Sequence, residues 1–352
     1  MTATYKIPPS HESPVTLRSK PVDPANIHAI IPTYNDWDGA KTTIDSLLRM
    51  RPAPRKITVV DDNRIKNPPA WISDQNLRHP SVHLAASYEG NIGPAYARNI
   101  GFGFHPEQRH DNLLIGGSER ERYVRHAVRE PTSDSRLVGV GNPVKSYVWK
   151  GDSEWYYFTD SGCEHAEGLL QHFADAWQDT GDSCVAISGP VEGAGDGLIN
   201  RFMTEQGILN PPKARLLYDI MLPQALVTAN ALVSGLAFSF VGGFDETFKI
   251  AAGEDLDLGI RLRRLGLIGW AEQAKVTHRF PEELPDFDKR FERYGAGNRQ
   301  LELKHRLPSL RARKFKAELP DLQDLADRQV AAMQRGYDRA VDPKVQGKIT
   351  LG

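Results

Sequence analysis

Residues 27–35 read Ile-His-Ala-Ile-Ile-Pro-Thr-Tyr-Asn (IHAIIPTYN). A short β-branched apolar run stopped by Pro32 describes a buried strand, and Thr33-Tyr34-Asn35 the polar loop at its carboxyl end. From Asp38 to Met50, Ala40, Ile44, Leu47 and Leu48 recur at helical spacing. Ile57-Thr58-Val59-Val60 is a second buried strand, halted by Asp61-Asp62-Asn63. Strand, helix and strand with short joins make the βαβ unit of a parallel sheet. Val82-His83-Leu84 predicts a third strand and Gly93–Phe104 the helix after it. Ligands of such sheets sit at the carboxyl ends of the strands, so the clusters 33–35 and 61–63 are expected to converge.

The chain around this unit has 352 residues, enough for one large core or a core with an appended layer. A formal net charge of −1 excludes a bulk electrostatic signature for nucleic acid. Two cysteines, Cys163 and Cys184, make neither a disulfide framework nor a zinc spacing, which points to the cytoplasm. Residues 1–26 carry five prolines and no signal-peptide core, and read as an extended leader. The uncharged stretch Ile220–Phe244 is interrupted by Pro223, Asn230, Gly235, Gly242 and Gly243, which suits buried strand and helix better than a membrane span. Beyond Phe280 the chain turns charged and helical. Lys304–Lys316 holds six cations and no acid, and reads as a solvated helix face, with peripheral membrane contact as the alternative.

Two further stretches bear chemistry. Trp155-Tyr156-Tyr157-Phe158 predicts a buried strand, and Asp160-Ser161-Gly162 follows at its end, a place suited to a metal or a diphosphate; Cys184–Ile187 predicts another strand. Gly242-Gly243-Phe244-Asp245-Glu246 precedes Gly253-Glu254-Asp255-Leu256-Asp257-Leu258, which opens a helix whose apolar face is Leu258, Leu262 and Leu265. Acidic residues in a first helical turn are favoured by the macrodipole alone. A carboxylate at a helix start beside a glycine-rich bend is also placed to act as a general base.

Pro32-Thr33-Tyr34-Asn35, Val59-Val60-Asp61-Asp62-Asn63, Asn91-x-Gly93 and Ala97-Arg98-Asn99-x-Gly101, in that order, resemble the nucleotide-binding half of family 2 glycosyltransferases. Asn230, Gly242–Glu246 and Gly253–Leu258 resemble the acceptor half. The resemblance implies a GT-A-type α/β fold, a mixed, mostly parallel sheet sandwiched by helices. It implies a domain over 27–280, with the nucleotide half at about 27–165, the acceptor half at about 184–280, and a helical carboxyl-terminal extension over 281–352. It also implies transfer of a hexose or N-acetylhexosamine from a nucleotide sugar, foremost a UDP-sugar, to a hydroxyl acceptor by a single inverting displacement.

Residue by residue, the resemblance puts Pro32, Thr33, Tyr34, Asn35, Asp61 or Asp62, Asn91 and Gly93 at the nucleotide and makes Asp255 the base. Arg98 is read as a diphosphate contact, or as half of an exposed salt bridge. Glu254 and Asp257 orient the base, cap the helix or hold the acceptor, with Asn230, Gly243 and Phe244 beside them. The chain departs from the family at the acidic triplet, where Asp160-Ser161-Gly162 has a glycine in place of the second carboxylate. Mg²⁺ is commonly bound through one or two carboxylates and substrate phosphates, so Asp160 still implies a divalent cation, with Glu164 or His278 as the supplementary ligand. A histidine ligand favours Mn²⁺; the other reading of His278 is a core residue. A second departure is the long segment of about 105–150, read as a lid, an acceptor loop or a dimer element.

A nicotinamide dehydrogenase would show Gly-x-Gly-x-x-Gly after the first strand, where this chain has Pro32-Thr33-Tyr34-Asn35. A sugar nucleotidyltransferase would carry a glycine-rich, arginine-containing loop there. The remaining rival is a non-catalytic sugar-nucleotide or glycan-binding module with a degenerate metal site; the intact Gly-Glu-Asp-Leu-Asp-Leu run speaks for the enzyme.

Overall fold

The computed structural model describes residues 17–63, 68–74, 77–87, 90–103, 153–211, 213–215 and 221–340. Most of the leader, the 105–150 segment and residues 341–352 lie outside them. In chain order the first half contains β1 (Ile27–Thr33), α1 (Trp37–Arg49), β2 (Lys56–Asp61), α2 (Ala70–Ser73), β3 (Val82–Ala86), α3 (Pro94–Phe102), β4 (Trp155–Thr159) and β5 (Cys163–His165). The middle contains α4 (Leu169–Thr180), β6 (Cys184–Ser188), β7 (Val191–Gly193), α5 (Leu198–Glu205), the pair β8 (Lys213–Arg215) and β9 (Met221–Pro223), β10 (Asn230–Ser234) and α6 (Gly235–Phe240). The chain ends with α7 (Glu254–Leu262), β11 (Leu267–Trp270), β12 (Val276–His278), α8 (Leu284–His305) and α9 (Gln323–Arg339).

Seven strands form one sheet in the order β11-β6-β10-β4-β1-β2-β3. All neighbours are parallel except β10, which runs antiparallel to both β4 and β6. The expected mixed, mostly parallel sheet is therefore present. The aromatic strand β4 sits between β1 and β10 and is buried on both faces. Its period-2 alternation sends Trp155 and Tyr157 into a core with α1 and α4, and Tyr156 and Phe158 into a second core with α6 and α7. Residues 17–26 lie along this domain, with Leu17 buried and its N–H bonded to Leu265 O at 2.9 Å.

A small sheet, β5-β12-β7, flanks the carboxyl end of β4. Helices α8 and α9 pack with α5 around Phe202, Phe287, Phe291, Leu322 and Leu325, a third core beside the sheet. The helical expectation for Lys304–Lys316 is corrected here: α8 ends at His305, and Arg306 adopts φ 53°. Pro308 removes a backbone donor and disfavours helix at Leu307, so the chain runs on without helix to Pro320. Among the described residues no helix is long and apolar enough to cross a membrane.

Candidate active site

The carboxyl ends of β1, β2 and β4 bring the sequence clusters together, because β1 and β2 pair Thr33 with Asp61 and β1 and β4 pair Ile30 with Phe158. They border a cavity of about 880 Å³ that is also lined by α7, α8 and the loop before α7. Ligand pockets of this kind span about 300–1,000 Å³.

On the sheet side, polar groups are bonded to the protein itself. The Thr33 hydroxyl donates to Asp36 O at 3.0 Å, and the Asp36 carboxylate caps α1 through Gly39 N–H at 3.0 Å. Asn35, at φ 54°, accepts from the Asn63 amide. Asp62 holds the 91–93 loop, its carboxylate accepting from Ile92 N–H at 3.2 Å and Gly93 N–H at 2.8 Å. Gly93 is required there: its φ is 114°, and an added Cβ would lie 2.6 Å from Lys249 O. Tyr34 is 46% exposed at the rim, and Pro32, Asp62 and Asn91 also line the cavity. Of the two aspartates left open by the sequence, Asp62 borders the cavity, whereas Asp61 is buried and its carboxylate accepts from Asn63 N–H.

Arg98 lines the cavity, and its ion pairs are buried rather than on an exposed helix face. Its guanidinium is 3% exposed and bridges two carboxylates, Asp160 at 2.6 Å and Glu254 at 2.9 Å. It is a buried clamp between α3, β4 and α7. Burial pushes the Glu254 carboxyl up, against the pull of Arg98. Asp255, next along α7, lines the cavity, its carboxylate accepting from Leu256 N–H at 2.8 Å and, more weakly, from Thr228 N–H at 3.4 Å. Desolvation and the adjacent Glu254 raise its carboxyl to about 7.

Four other assignments are corrected by position. Asn230 is fully buried; its amide donates to Pro190 O at 3.1 Å and Ala274 O at 2.7 Å and accepts from the Tyr157 hydroxyl at 3.0 Å, so it ties strands together and leaves nothing for an acceptor. Phe244 packs on Phe158 and Phe238 behind the site, and Gly243 O accepts from Arg261 at 2.6 Å. Asp257 is fully buried on the far face of α7; a hydrogen bond from His305 and the charges of Arg261 and Lys304 hold its carboxyl below the usual range despite burial. Asp257 and Lys304 thereby join α7 to the end of α8.

Two of the three side chains expected to hold a cation reach the cavity. Asp160 and His278 both line the cavity. The His278 ring stacks on Phe280, with centroids 4.7 Å apart, and burial lowers its pKa, leaving a neutral imidazole that can ligate. Glu164 does not take part. It is exposed and pairs with Thr277, whereas His278 pairs with Cys163, so alternation puts Glu164 on the other face of the small sheet. Gly162 sits at φ 83° in the turn between β4 and β5, where the backbone favours glycine. Its place in the triplet answers to that turn. Among the described residues no three His, Cys, Asp or Glu side chains gather around one point. Asp160 and His278 therefore suit a cation whose shell the substrate's phosphates complete, not one held by the protein alone.

Several cavity residues escaped the sequence reading, chiefly Arg290, Arg293 and Tyr294 on α8 and Lys249 in the loop before α7. Their signal was the i, i+3, i+4 spacing of two cations and a phenol in a helix only six residues beyond His278. Reading residues past 280 as an appendage hid it.

Residues 28–104 match the family described as Glycosyl transferase family 2, and residues 211–325 match Glycosyl transferase family group 2. Many solved structures are similar, three of them as follows. TarS of S. aureus, residues 1–349 in complex with UDP, is 14% identical, with 88% of this chain and 70% of that one covered and a TM-score of 0.45. GalNAc-T7 with UDP, GalNAc and Mn²⁺ is 11% identical over 89% of this chain and 55% of that one, with a TM-score of 0.46. Mannosyltransferase PcManGT from Pyrobaculum calidifontis, in complex with GDP-Man and Mn²⁺, is 14% identical over 92% and 76%, with a TM-score of 0.49. No curated protein matches the chain by sequence.

Proposed function

The chain belongs to the family 2 glycosyltransferases, and from that premise we propose that it transfers a sugar from a UDP-sugar to a hydroxyl acceptor by one inverting displacement, with Asp255 as the base. The observation that carries this reading is the Asp255 carboxylate, which borders the cavity with its pKa raised to about 7. A base poised near the working pH combines a useful ionised fraction with enough basicity to accept a proton.

The uracil and ribose belong at Pro32, Tyr34, Asp62 and Asn91, where an exposed phenol offers a stacking face and Asp62 keeps lone pairs beyond its two backbone bonds. The diphosphate belongs toward Asp160, His278 and α8. The acceptor hydroxyl lies at Asp255. Its oxygen forms a bond to the anomeric carbon as the bond to the diphosphate oxygen breaks. The proton passes to the Asp255 carboxylate, and UDP departs with the bonding electron pair. Arg98 fixes Glu254, the neighbour that helps raise the Asp255 pKa, so it positions the base. A divalent cation, Mn²⁺ or Mg²⁺, would be held by Asp160, His278 and donor phosphates, and would neutralise charge on the leaving group.

A panel of nucleotide sugars screened by thermal shift, with and without Mn²⁺, tests the donor. Stabilisation by UDP-sugars above all others is expected. A GDP-sugar as the sole stabiliser overturns the UDP assignment, and binding without turnover against any hydroxyl acceptor points to the non-catalytic module.

A further inference from the structure

Between Glu302 and Glu318 the chain carries no acid, and its irregular part, residues 306–317, holds Arg306, Arg311, Arg313, Lys314 and Lys316. A charge run of this kind is ordinarily a solvated surface. Here the backbone is fastened at five points. Leu310 N–H donates to Glu302 at 3.0 Å, and Leu310 O accepts from the Asn298 amide at 3.2 Å. Ala312 O accepts from Gln334 at 3.0 Å, Phe315 O accepts from Gln323 at 3.2 Å, and Ala317 N–H donates to the Gln323 amide oxygen at 3.0 Å. The segment is a strap laid from the end of α8 along α9.

Its side chains divide into two sets. Phe315, Ala317 and Leu319 pack into or against the third core. Arg306, Arg313, Lys314 and Lys316 are exposed and make no ion pair among the described residues. Arg311 is exposed as well, paired with Asp338 at 2.7 Å and lying over the Tyr337 ring at 5.6 Å. A strap with a fixed backbone presents these cations in set places, which spares a ligand the entropy of ordering the chain.

The strap leaves from the cavity wall. Asn298, which holds Leu310, lines the cavity. On α9, Gln329 and Met333 line it, and Gln334, which holds Ala312, is the next residue, about 100° round the helix. A row of cations therefore begins beside the cavity and continues over the surface. A linear polyanion matches such a row better than a membrane does. Interfacial segments bury an apolar face, and Phe315, Ala317 and Leu319 are turned into the protein. The large exposed hydrophobic residues among those described, Tyr34, Leu77, Leu198 and Leu284, are all outside the strap.

We propose that residues 306–316 form a docking track for a polyanionic acceptor, a polymer bearing repeated phosphate or carboxylate groups, one of whose hydroxyls reaches Asp255. The inference rests on reading the cavity as a glycosyltransferase site, and it names the charge class of the acceptor.

The test is binding of fluorescently labelled polyglutamate to the full chain, and its displacement by inorganic polyphosphate, read by anisotropy with and without saturating UDP. UDP affinity is measured beside it by calorimetry. Polyglutamate should bind, labelled neutral dextran should not, and affinity should fall steeply with salt. The triple variant Arg313→Gln, Lys314→Gln, Lys316→Gln should weaken polymer binding about tenfold, the scale of three exposed ion pairs. Its UDP affinity and thermal midpoint should stay near the wild type's. Removing three exposed cations elsewhere, by Arg49→Gln, Arg264→Gln and Lys289→Gln, should weaken polymer binding less than about twofold. Equal losses in the two triple variants reduce the effect to net charge and overturn the proposal, as does an unchanged affinity in the strap variant. Displacement of the polymer by UDP puts it in the donor site, which also overturns the track. So does tighter binding to vesicles of equimolar phosphatidylcholine and phosphatidylglycerol than to the polymer. A wild type that holds the polymer through the strap but binds no UDP overturns the donor reading and the acceptor role with it, while the polyanion track itself stands.

Discussion

The two walls of the cavity differ in how their polar groups are used. On the sheet wall, Thr33, Asp36, Asp62 and the Arg98–Asp160 pair are bonded to backbone or to each other. On the helical wall, Asp255 keeps a raised pKa and Arg293 makes no hydrogen bond. Committed groups hold a shape, whereas under-committed groups keep their interaction free energy for a ligand. The sheet wall is thus the mould and the helical wall carries the reagents. Substitutions on the two walls should separate accordingly, the first altering stability and the second altering binding or rate.

The largest effect is expected at the base. Asp255→Asn should lower the transfer rate about 10²–10⁴-fold, the usual worth of positioned proton transfer, with UDP affinity held within about twofold. UDP release and calorimetry measure the two quantities. A rate near the wild type's removes Asp255 from the role. Arg98→Met is the counterpart on the other wall. It leaves Glu254 buried without its partner, and breaking a buried pair costs about 3–5 kcal/mol. Urea denaturation should show that loss, whereas Arg293→Gln should leave the midpoint nearly unchanged. Equal destabilisation by both variants would erase the distinction between the walls.

A smaller effect is expected at Asn230, which the sequence places with the acceptor and the fold places inside the sheet. Asn230→Ala strands the Tyr157 hydroxyl and the carbonyls of Pro190 and Ala274, at about 2–3 kcal/mol. Nucleotide affinity of the folded fraction should be unaltered. A variant of native stability that has lost turnover would return Asn230 to the acceptor.

The same contrast explains what could be read in advance. The β1–α1–β2 unit was legible because strands buried on both faces are short, continuous and β-branched, and their ends fall at Pro32 and Asp61. Asp255 was legible because its run is contiguous along the chain. The burial of Arg98 was not, since its partners, Asp160 and Glu254, are 62 and 156 residues away. Helical and strand periodicity could have separated Asp257 and Glu164 from the cavity once the elements carrying them were placed. Asp255 and Asp257 lie about 200° apart around a helix, so Gly-Glu-Asp-Leu-Asp-Leu cannot present both to one ligand. Alternation in β5 removes Glu164 in the same way. Helix α8 was expected, but its place at the cavity was missed because its helical period was visible and its seat against α7 and α9 was not.

The smallest expected effect concerns pH and tests whether the helical wall retains unspent free energy. The Asp255 carboxyl is raised to about 7, above the ordinary carboxylate value of about 4, by desolvation and by Glu254, whose own carboxyl is also raised. The folded state therefore holds protons that the unfolded state releases. The resulting stabilisation is complete below about pH 4 and is lost as pH rises through about 7. Transfer should run the other way, rising as Asp255 ionises and levelling above about pH 7. Asp255→Asn removes the ionisation, so at pH 8 its melting temperature should exceed the wild type's by about 2–4 °C, while at pH 4 the two should nearly coincide. The pair with Glu254 titrates jointly, and the transition should spread over more than one pH unit. Parallel melting curves across pH 4–8 would mean that the Asp255 carboxyl is not raised in the folded chain, and the contrast between the two walls would fall.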